Sequence, residues 1–164
     1  MNFQELYQSY YEQIYKFCYR FVSDPDLAGD ITQDTFVKML NRMRQRNPDI
    51  KNHKAWLYKV ASNLCLNTIQ TNNRRKEIMG DAVRDITNEN TPESEFIAKE
   101  KAMLAKRALD QLAPEHQILL YMYQDGLSYK EMSEATGIPV NSIGKTLWRN
   151  IEKVSVTYKT AAHG

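Results

Sequence analysis

The sequence of 164 residues contains only two cysteines and no long apolar run. Because no window approaches about eighteen consecutive apolar residues, we expect no membrane-spanning helix and no membrane insertion. Residues 1–5 carry no basic start followed by an apolar stretch, so the sequence predicts no secretory signal and a cytoplasmic location. The cysteines, Cys18 and Cys65, lie far apart in apolar stretches, which favours buried free thiols over a disulfide scaffold.

The sequence also lacks the groupings that carry catalysis or bind a metal. It has no glycine-rich phosphate loop and no nucleophile with a nearby base, and its three histidines, His53, His116 and His163, are scattered. Asp30 and Asp34 are four residues apart on one helical face, but no third metal ligand lies near them in the sequence. We therefore expect no enzyme activity, no metal and no cofactor.

The net charge of +2 hides a strong segregation of charge along the chain. Residues 38–76 contain ten lysines and arginines against one aspartate, a net charge of +9. Residues 1–37 and 77–115 each carry a net charge of −4, and residues 116–164 carry +1. A block at +9 favours a polyanionic partner, although a solvated helix face is the alternative.

Helical periodicity dominates the sequence and predicts an all-α fold. The first helix follows the apolar residues from Phe3 to Phe21, and the second begins after an N-cap at Asp24. The second helix is expected to end near Asn47–Pro48, and a third to run from about Asn52 to Asn72. No segment reads as a strand, so the chain is expected to bury its apolar residues between helices.

The apolar pattern lapses between the third predicted helix and the next one. Residues 76–95 are polar and acidic, and we interpret them as a flexible acidic linker between two small helical domains. A fourth helix is expected to open with Pro92 in its first turn, and a fifth to start at Pro114 and stop at Asp125–Gly126.

The spacing near the C-terminus is typical of a helix-turn-helix. Ser128 and Glu131 form a capping box, a short helix ends at Thr136–Gly137, and a second helix follows Pro139. The second helix points polar side chains outward that can contact base edges and phosphates in the major groove: Asn141, Ser142, Lys145, Thr146 and Arg149. An ordinary helical hairpin with solvated polar residues is the alternative.

The basic block supplies a second candidate nucleic-acid surface on the third helix. Its polar face combines a cation, amides and a hydroxyl beside two aromatic residues, Trp56 and Tyr58. The face consists of Lys59, Ser62, Asn63, Asn67 and Gln70. Such a mixture suits phosphates and unstacked single-stranded bases, although Trp56 at this spacing is more often part of a core.

Three segments, residues 24–36, 55–63 and 127–132, resemble signatures of the extracytoplasmic-function (ECF) group of bacterial sigma factors, in the family's order. The resemblance implies a sigma-2 domain in residues 1–75, a linker in 76–95 and a sigma-4 domain in 96–160. It also implies the family's function, which is to join RNA polymerase core, direct it to promoters and help open the DNA. An anti-sigma factor is implied as a further partner.

The resemblance also implies roles for individual residues. Core polymerase is expected to contact Asp30, Gln33, Asp34, Phe36 and Val37. The minus-10 element is expected to contact Arg46, Asn47, Lys54, Trp56, Lys59, Ser62, Asn63 and Asn67, and to place a flipped base near residues 47–54. The minus-35 duplex is expected to contact Ser128, Asn141, Ser142, Lys145, Thr146 and Arg149.

Several residues depart from the family pattern. Gly29 replaces a usual acidic residue, Pro139 replaces a small polar cap, and Gly144–Lys145–Thr146 replaces a usual Lys-Ser-Arg run. Two other functions stay open from the residues alone. One is a stand-alone helix-turn-helix regulator whose N-terminal helices dimerise or sense a signal, and the other is a helical protein-interaction adaptor.

Overall fold

A computed structural model describes residues 1–79 and 93–163, and these residues form seven α-helices without a strand. The helices are α1 (Phe3–Val22), α2 (Pro25–Met43), α3 (His53–Met79), α4 (Glu93–Asp110), α5 (Pro114–Gln124), α6 (Tyr129–Thr136) and α7 (Val140–His163). The predicted all-α class is confirmed. Of the helices in these ranges, none combines the length and the apolar character needed to cross a membrane.

Helices α1, α2 and α3 pack together as the N-terminal domain. The side chain of Asn2 caps α1 in a capping box with Glu5, and Asp24 caps α2 as predicted, with Pro25 in the first turn. The core of this domain is fully buried, and in it the ring of Phe17 meets the ring of Tyr58 edge-on at 4.9 Å. The local caps therefore place the helices, and their apolar stripes fix how the helices pack.

Cys18 of α1 and Cys65 of α3 are both free and fully buried in this core, as predicted. The neighbouring Cys18 thiol and burial both raise the pKa of the Cys65 thiol. The thiolate is the reactive form of cysteine, so the Cys65 thiol acts as a packing group.

Two helix boundaries differ from the predictions. Helix α2 ends at Met43, before the predicted stop at Asn47–Pro48, and α3 continues past Asn72 to Met79. The predicted linker at 76–95 is therefore helical at both ends, in 76–79 and 93–95. Its remaining residues, 80–92, which include Pro92 of the predicted fourth helix, lie outside the described residues.

Helices α4 to α7 form the C-terminal domain, and α6 and α7 make the predicted helix-turn-helix. The Ser128 hydroxyl accepts from the backbone N–H of Glu131 at 3.1 Å, and the Glu131 carboxylate accepts from the Ser128 N–H at 3.0 Å. Gly137 ends α6 with φ +80°, a left-handed backbone conformation that is strained for residues with a side chain. Ile143 and Leu147 of α7 are buried, so α7 is held in place by its inner face.

The two domains share one continuous apolar core. Phe17 and Phe21 of α1 each meet the ring of Tyr121 of α5 edge-on at 6.5 Å. Ile118 and Met122 of α5 are buried in the same cluster. The arrangement of the domains is therefore determined by packing as well as by polar contacts.

Two glycines with open space around them are expected to respond to alanine in opposite directions. At Gly29, inside α2, an added Cβ meets no atom within 4 Å, so Gly29→Ala is expected to stabilise the protein by about 0.5–1 kcal/mol. Gly126 has equally open space but φ +83°, so Gly126→Ala is expected to destabilise by about 1 kcal/mol. Urea unfolding followed by circular dichroism measures both, and equal effects of the two substitutions contradict the prediction.

Neighbouring residues on α2 provide a test of the N-terminal core. Phe36 is 1% exposed, so Phe36→Ala is expected to lower the free energy of unfolding by about 3–5 kcal/mol. Val37 is 53% exposed, and Val37→Ala is expected to change it by less than about 0.5 kcal/mol. Chemical denaturation of the two variants compares them directly, and a small loss for Phe36→Ala argues against this packing.

Candidate polymerase and nucleic-acid surfaces

The outer face of α2 carries four of the five residues predicted to contact core polymerase. Asp30, Gln33, Asp34 and Val37 are all exposed. Within the described residues neither Asp30 nor Asp34 has an ion-pair partner, so both carboxylates are available to a binding partner. This outer face of α2 is therefore acidic with one apolar side chain, and we call these four residues the α2 ridge.

Phe36 lies on the opposite side of α2 from this ridge. Its ring packs edge-on against Tyr7 at 5.1 Å and against Phe3 at 6.4 Å. Sequence periodicity could not separate Phe36 from Val37, because both lie near the border between the apolar and polar faces. In this structure Phe36 supports the ridge from inside the domain.

The polar face of α3 presents an exposed row of three predicted minus-10 residues. Lys59, Asn63 and Asn67 are four residues apart and therefore lie one above the other along the helix. Ser62 does not belong to this exposed row of α3. It is buried, and its hydroxyl donates to the backbone oxygen of Tyr58 at 2.6 Å. The row thus combines one cation with two amides that can donate and accept.

The loop before α3 adds a cavity to this face. Arg46 and Asn47 are exposed in the loop, whereas Lys54 and Trp56 are half-buried. A cavity of about 380 Å³ opens beside the start of α3 and is lined by Asp49, Ile50, Lys51, Asn52, Ala55, Trp56, Lys59 and Glu134. All but Glu134 belong to the N-terminal domain, in or next to the segment where a flipped base is expected.

The outer face of α7 brings together most of the predicted minus-35 residues. Asn141, Lys145 and Arg149 are exposed, and Ser142 and Thr146 are half-buried, with the Thr146 hydroxyl donating to the Ser142 backbone oxygen at 2.8 Å. Ser128 is exposed at the start of α6, where its hydroxyl already serves as the cap. Successive turns of α7 therefore each contribute one exposed residue to this outer face.

Trp148 also lies on this face, although it was not among the residues predicted to contact DNA. Trp148 is 69% exposed, and it lies three residues after Lys145 and seven after Asn141, a spacing that places all three on one side of α7. The signal was available in the sequence as an apolar residue at a position of the polar face. An exposed tryptophan beside cations and amides is suited to contact with a nucleic acid.

The departure at Gly144 lies at the edge of this face. A Cβ added there is 3.5 Å from the ring of Tyr129 in α6, an ordinary contact distance. Position 144 therefore faces α6, and the Cβ of any side chain at this position would contact the Tyr129 ring. The outward cation of this segment is Lys145.

Three acidic residues of the C-terminal domain lie near the N-terminal domain: Asp125, Glu131 and Glu134. These positions were not predicted, because the neighbouring residues are distant in the sequence. Burial, reinforced by the hydrogen bond to Asp125, raises the pKa of Tyr58. Partial burial opposes ionisation of Glu131, but bonds from Ser128 and Asn52 and the charge of Lys54 outweigh it and lower its pKa. Glu131 is therefore a carboxylate held by both domains.

Across the described residues, 1–79 and 93–163, no group of three or more histidine, cysteine, aspartate or glutamate side chains is arranged to hold a metal ion. The chemistry that these surfaces offer is charge complementarity, hydrogen bonding and stacking.

Two family models match the chain, and they do so in the order of the two domains. Sigma-70 region 2 matches residues 6–75, and Sigma-70, region 4 matches residues 102–149. Region 2 coincides with α1–α3 and includes the α2 ridge and the α3 face. Region 4 contains α5, α6 and the first part of α7.

Individual relatives agree with these matches along nearly the whole chain. RNA polymerase sigma factor YlaC of Bacillus subtilis is 27% identical over 154 residues, which cover 90% of this chain and 87% of that protein. ECF RNA polymerase sigma factor SigM of the same organism is 24% identical over 159 residues and is covered to 96%, as is this chain.

A solved structure shares the fold. The sigma factor RpoE from Bartonella quintana, in complex with the anti-sigma factor NepR, matches with a TM-score of 0.70 and 18% sequence identity over 96% of each chain. A stand-alone helix-turn-helix regulator explains only the C-terminal match, and an adaptor explains neither. The two regions, in order on one chain, and the two Bacillus relatives identify this chain as a member of the extracytoplasmic-function group of the sigma-70 family.

Proposed function

We propose that the protein binds RNA polymerase core and directs it to promoters through two DNA surfaces, one on each domain. The observation that carries this proposal is the pairing of region 2 and region 4 in one chain, each with an exposed polar helix face. Core-dependent run-off transcription over a fragmented source genome tests it. Specific transcripts are expected only when core is present, and tight binding of a palindromic operator by the protein alone contradicts the proposal.

The α3 face is assigned to the melted minus-10 element. Lys59 supplies a cation for phosphate, and Asn63 and Asn67 supply amides that can read the edges of unpaired bases. The adjacent cavity near Trp56 is assigned to a flipped base, whose extrusion costs a few kcal/mol that the contacts must offset. Arg46 and Asn47 in the exposed loop lie where the backbone of the same strand can pass.

The α7 face is assigned to the minus-35 duplex. The width of the major groove admits one α-helix, and Asn141, Lys145 and Arg149 project from the same side of α7. Trp148 adds an apolar surface that can contact the methyl group of thymine. Ser128, at the N-terminus of α6, is placed to contact a phosphate beside the groove.

The α2 ridge is assigned to core polymerase. Asp30 and Asp34 supply two unpaired carboxylates and Val37 an exposed apolar group, a combination suited to a basic protein surface with an apolar spot. Phe36 contributes by holding the ridge on the domain from inside.

The remaining partners and the location follow from this function. We place the protein in the cytoplasm with the polymerase and assign it no catalytic step of its own. The Bartonella sigma factor is held by an anti-sigma factor. We assign a regulator of the same kind to this chain.

Loss of the α3 contacts is expected to impair promoter opening. Lys59→Ala combined with Asn63→Ala is expected to reduce open-complex formation by about thirty-fold or more, because two lost contacts of about 1 kcal/mol each amount to about 2 kcal/mol. Permanganate reactivity of promoter thymines measures opening, and core affinity serves as the internal reference. Lys99→Ala, on exposed α4, is the control, and an equal loss of opening in this variant rules out a specific role for the α3 face.

Reversal of charge on the α2 ridge is expected to impair core binding. Asp34→Arg places a cation where a basic partner is assigned, and we expect core affinity to fall by about ten-fold while DNA opening at saturating core is retained. Fluorescence anisotropy of labelled protein titrated with core measures this affinity. Glu12→Arg, which makes the same charge reversal on the exposed surface of α1, is the control. Equal core affinity of the Asp34 variant and wild type overturns the docking assignment.

A further inference from the structure

Helix α6 of the C-terminal domain lies against the α3 face that the proposed function assigns to minus-10 DNA. The Asn52 amide donates to the Glu131 carboxylate at 3.1 Å. Glu134 forms one wall of the cavity whose other walls include Trp56 and Lys59. Two carboxylates of α6 thus lie beside the end of the α3 face that carries Lys54 and Lys59, while the side chains of Asn63 and Asn67 stay exposed.

A polar cluster around Asp125 fastens α5 to the N-terminal domain. The Asp125 carboxylate accepts from the guanidinium of Arg20 in α1 and, at 2.7 Å, from the hydroxyl of Tyr58 in α3. The Asp125 side chain is 9% exposed and that of Arg20 is 29% exposed. Because the three residues come from three separate parts of the chain, this cluster exists only when the two domains are together.

Further contacts converge on Arg20 from the C-terminal domain. Its guanidinium also donates to the Gln124 side chain at 2.8 Å and lies over the Tyr121 ring, 5.6 Å from the centroid. The Lys106 ammonium donates to the Arg20 backbone oxygen at 3.1 Å. Arg20 is therefore held by two helices of the other domain, and its main charge partner is Asp125.

The seam between the domains is incompletely filled. One cavity of about 390 Å³ lies between Ile69 of α3 and Leu112, and another of about 300 Å³ lies between Asn63 of α3 and His116 of α5. These clefts interrupt the apolar packing between the domains, so the polar contacts around Asp125 carry a share of the arrangement of the domains.

We propose that in the isolated chain the C-terminal domain closes on the cavity at the start of the minus-10 face, with Asp125 as the latch, so that α6 and promoter DNA compete for this end of α3. The inference rests on the proposed function, since it takes the α3 face as the DNA surface. The occupant is helix α6 of the same chain, and its carboxylates stand where DNA phosphates bind in the open state.

Two substitutions release the latch in different ways. Asp125→Asn removes the charge that pairs with Arg20, and Glu134→Lys brings a cation beside Lys51 and Lys59. Glu134 is exposed and makes no hydrogen bond among the described residues, so its replacement leaves the folding of α6 intact. The controls are Glu12→Gln, which removes an exposed ion pair with Lys16 inside α1, and Glu152→Lys, which makes the same charge change on the exposed side of α7.

The first measurement reports the arrangement of the domains without any DNA. Small-angle X-ray scattering of the full chain is expected to give a larger radius of gyration for both latch variants than for wild type and both controls. In a Trp148→Phe background the remaining tryptophan, Trp56, lines the seam cavity, and its emission is expected to move to longer wavelength on release. Unchanged scattering and emission in both latch variants overturn the proposal.

The second measurement reports competition for α3. Fluorescence anisotropy with a labelled random-sequence single-stranded DNA is expected to show about ten-fold tighter binding by both latch variants, the gain expected when the binding-competent state is a minor one. Adding Lys59→Ala and Asn63→Ala is expected to abolish the gain. Opening without tighter binding, or an equal gain in the Glu152→Lys control, contradicts competition between α6 and DNA.

Core-dependent transcription by the wild-type protein separates the two proposals. Transcription together with unchanged scattering of the latch variants leaves the proposed function in place and removes the latch. Absence of specific transcription contradicts the proposed function itself, whatever the scattering shows.

Discussion

The burial of α3 on two sides is the constraint on which the rest of the structure depends. Leu57, Ala61 and Cys65 face the core of the N-terminal domain. Tyr58, equally buried, reaches the seam, where its hydroxyl donates to Asp125. Only the remaining strip of the helix is left for a polar face. Because α3 is buried both in the N-terminal core and at the seam, the packing on these two sides determines which of its residues can form the DNA surface.

The segregation of charge along the sequence acquires its meaning from this arrangement. The basic block forms the loop before α3 and the α3 strip, and the acidic residues of α2 form a ridge elsewhere on the domain. Glu131 and Glu134 of α6 meet the basic surface, and the lowered pKa of Glu131 reflects in part the amide of Asn52 and the charge of Lys54. One positive surface therefore attracts either a segment of its own chain or a nucleic acid, because both present anionic oxygens.

Local signals predicted the elements well and the boundaries less well. The cap at Asp24, the box of Ser128 and Glu131 and the turn at Gly137 act within a few residues, so the sequence contains their full cause. The end of α3 was misplaced because residues 70–77 are all polar in the sequence, so they show no apolar periodicity. Ser62 was assigned to the polar face because a helical period does not say how wide the buried stripe is. Phe36 was assigned to core polymerase through the family resemblance, which does not report whether its side chain is buried.

By itself, the sequence determined the all-α class, the helix-turn-helix, the basic block and the resemblance that the family matches later confirmed, because each depends on short-range spacing or on motifs. The tertiary structure alone decided that Phe36 and Ser62 are buried and that Asp125 joins Arg20 to Tyr58. These contacts join residues far apart in the sequence, as with the 105 positions between Arg20 and Asp125. Long-range pairings follow from the packing of whole helices, and no local pattern encodes which helix comes to lie beside which.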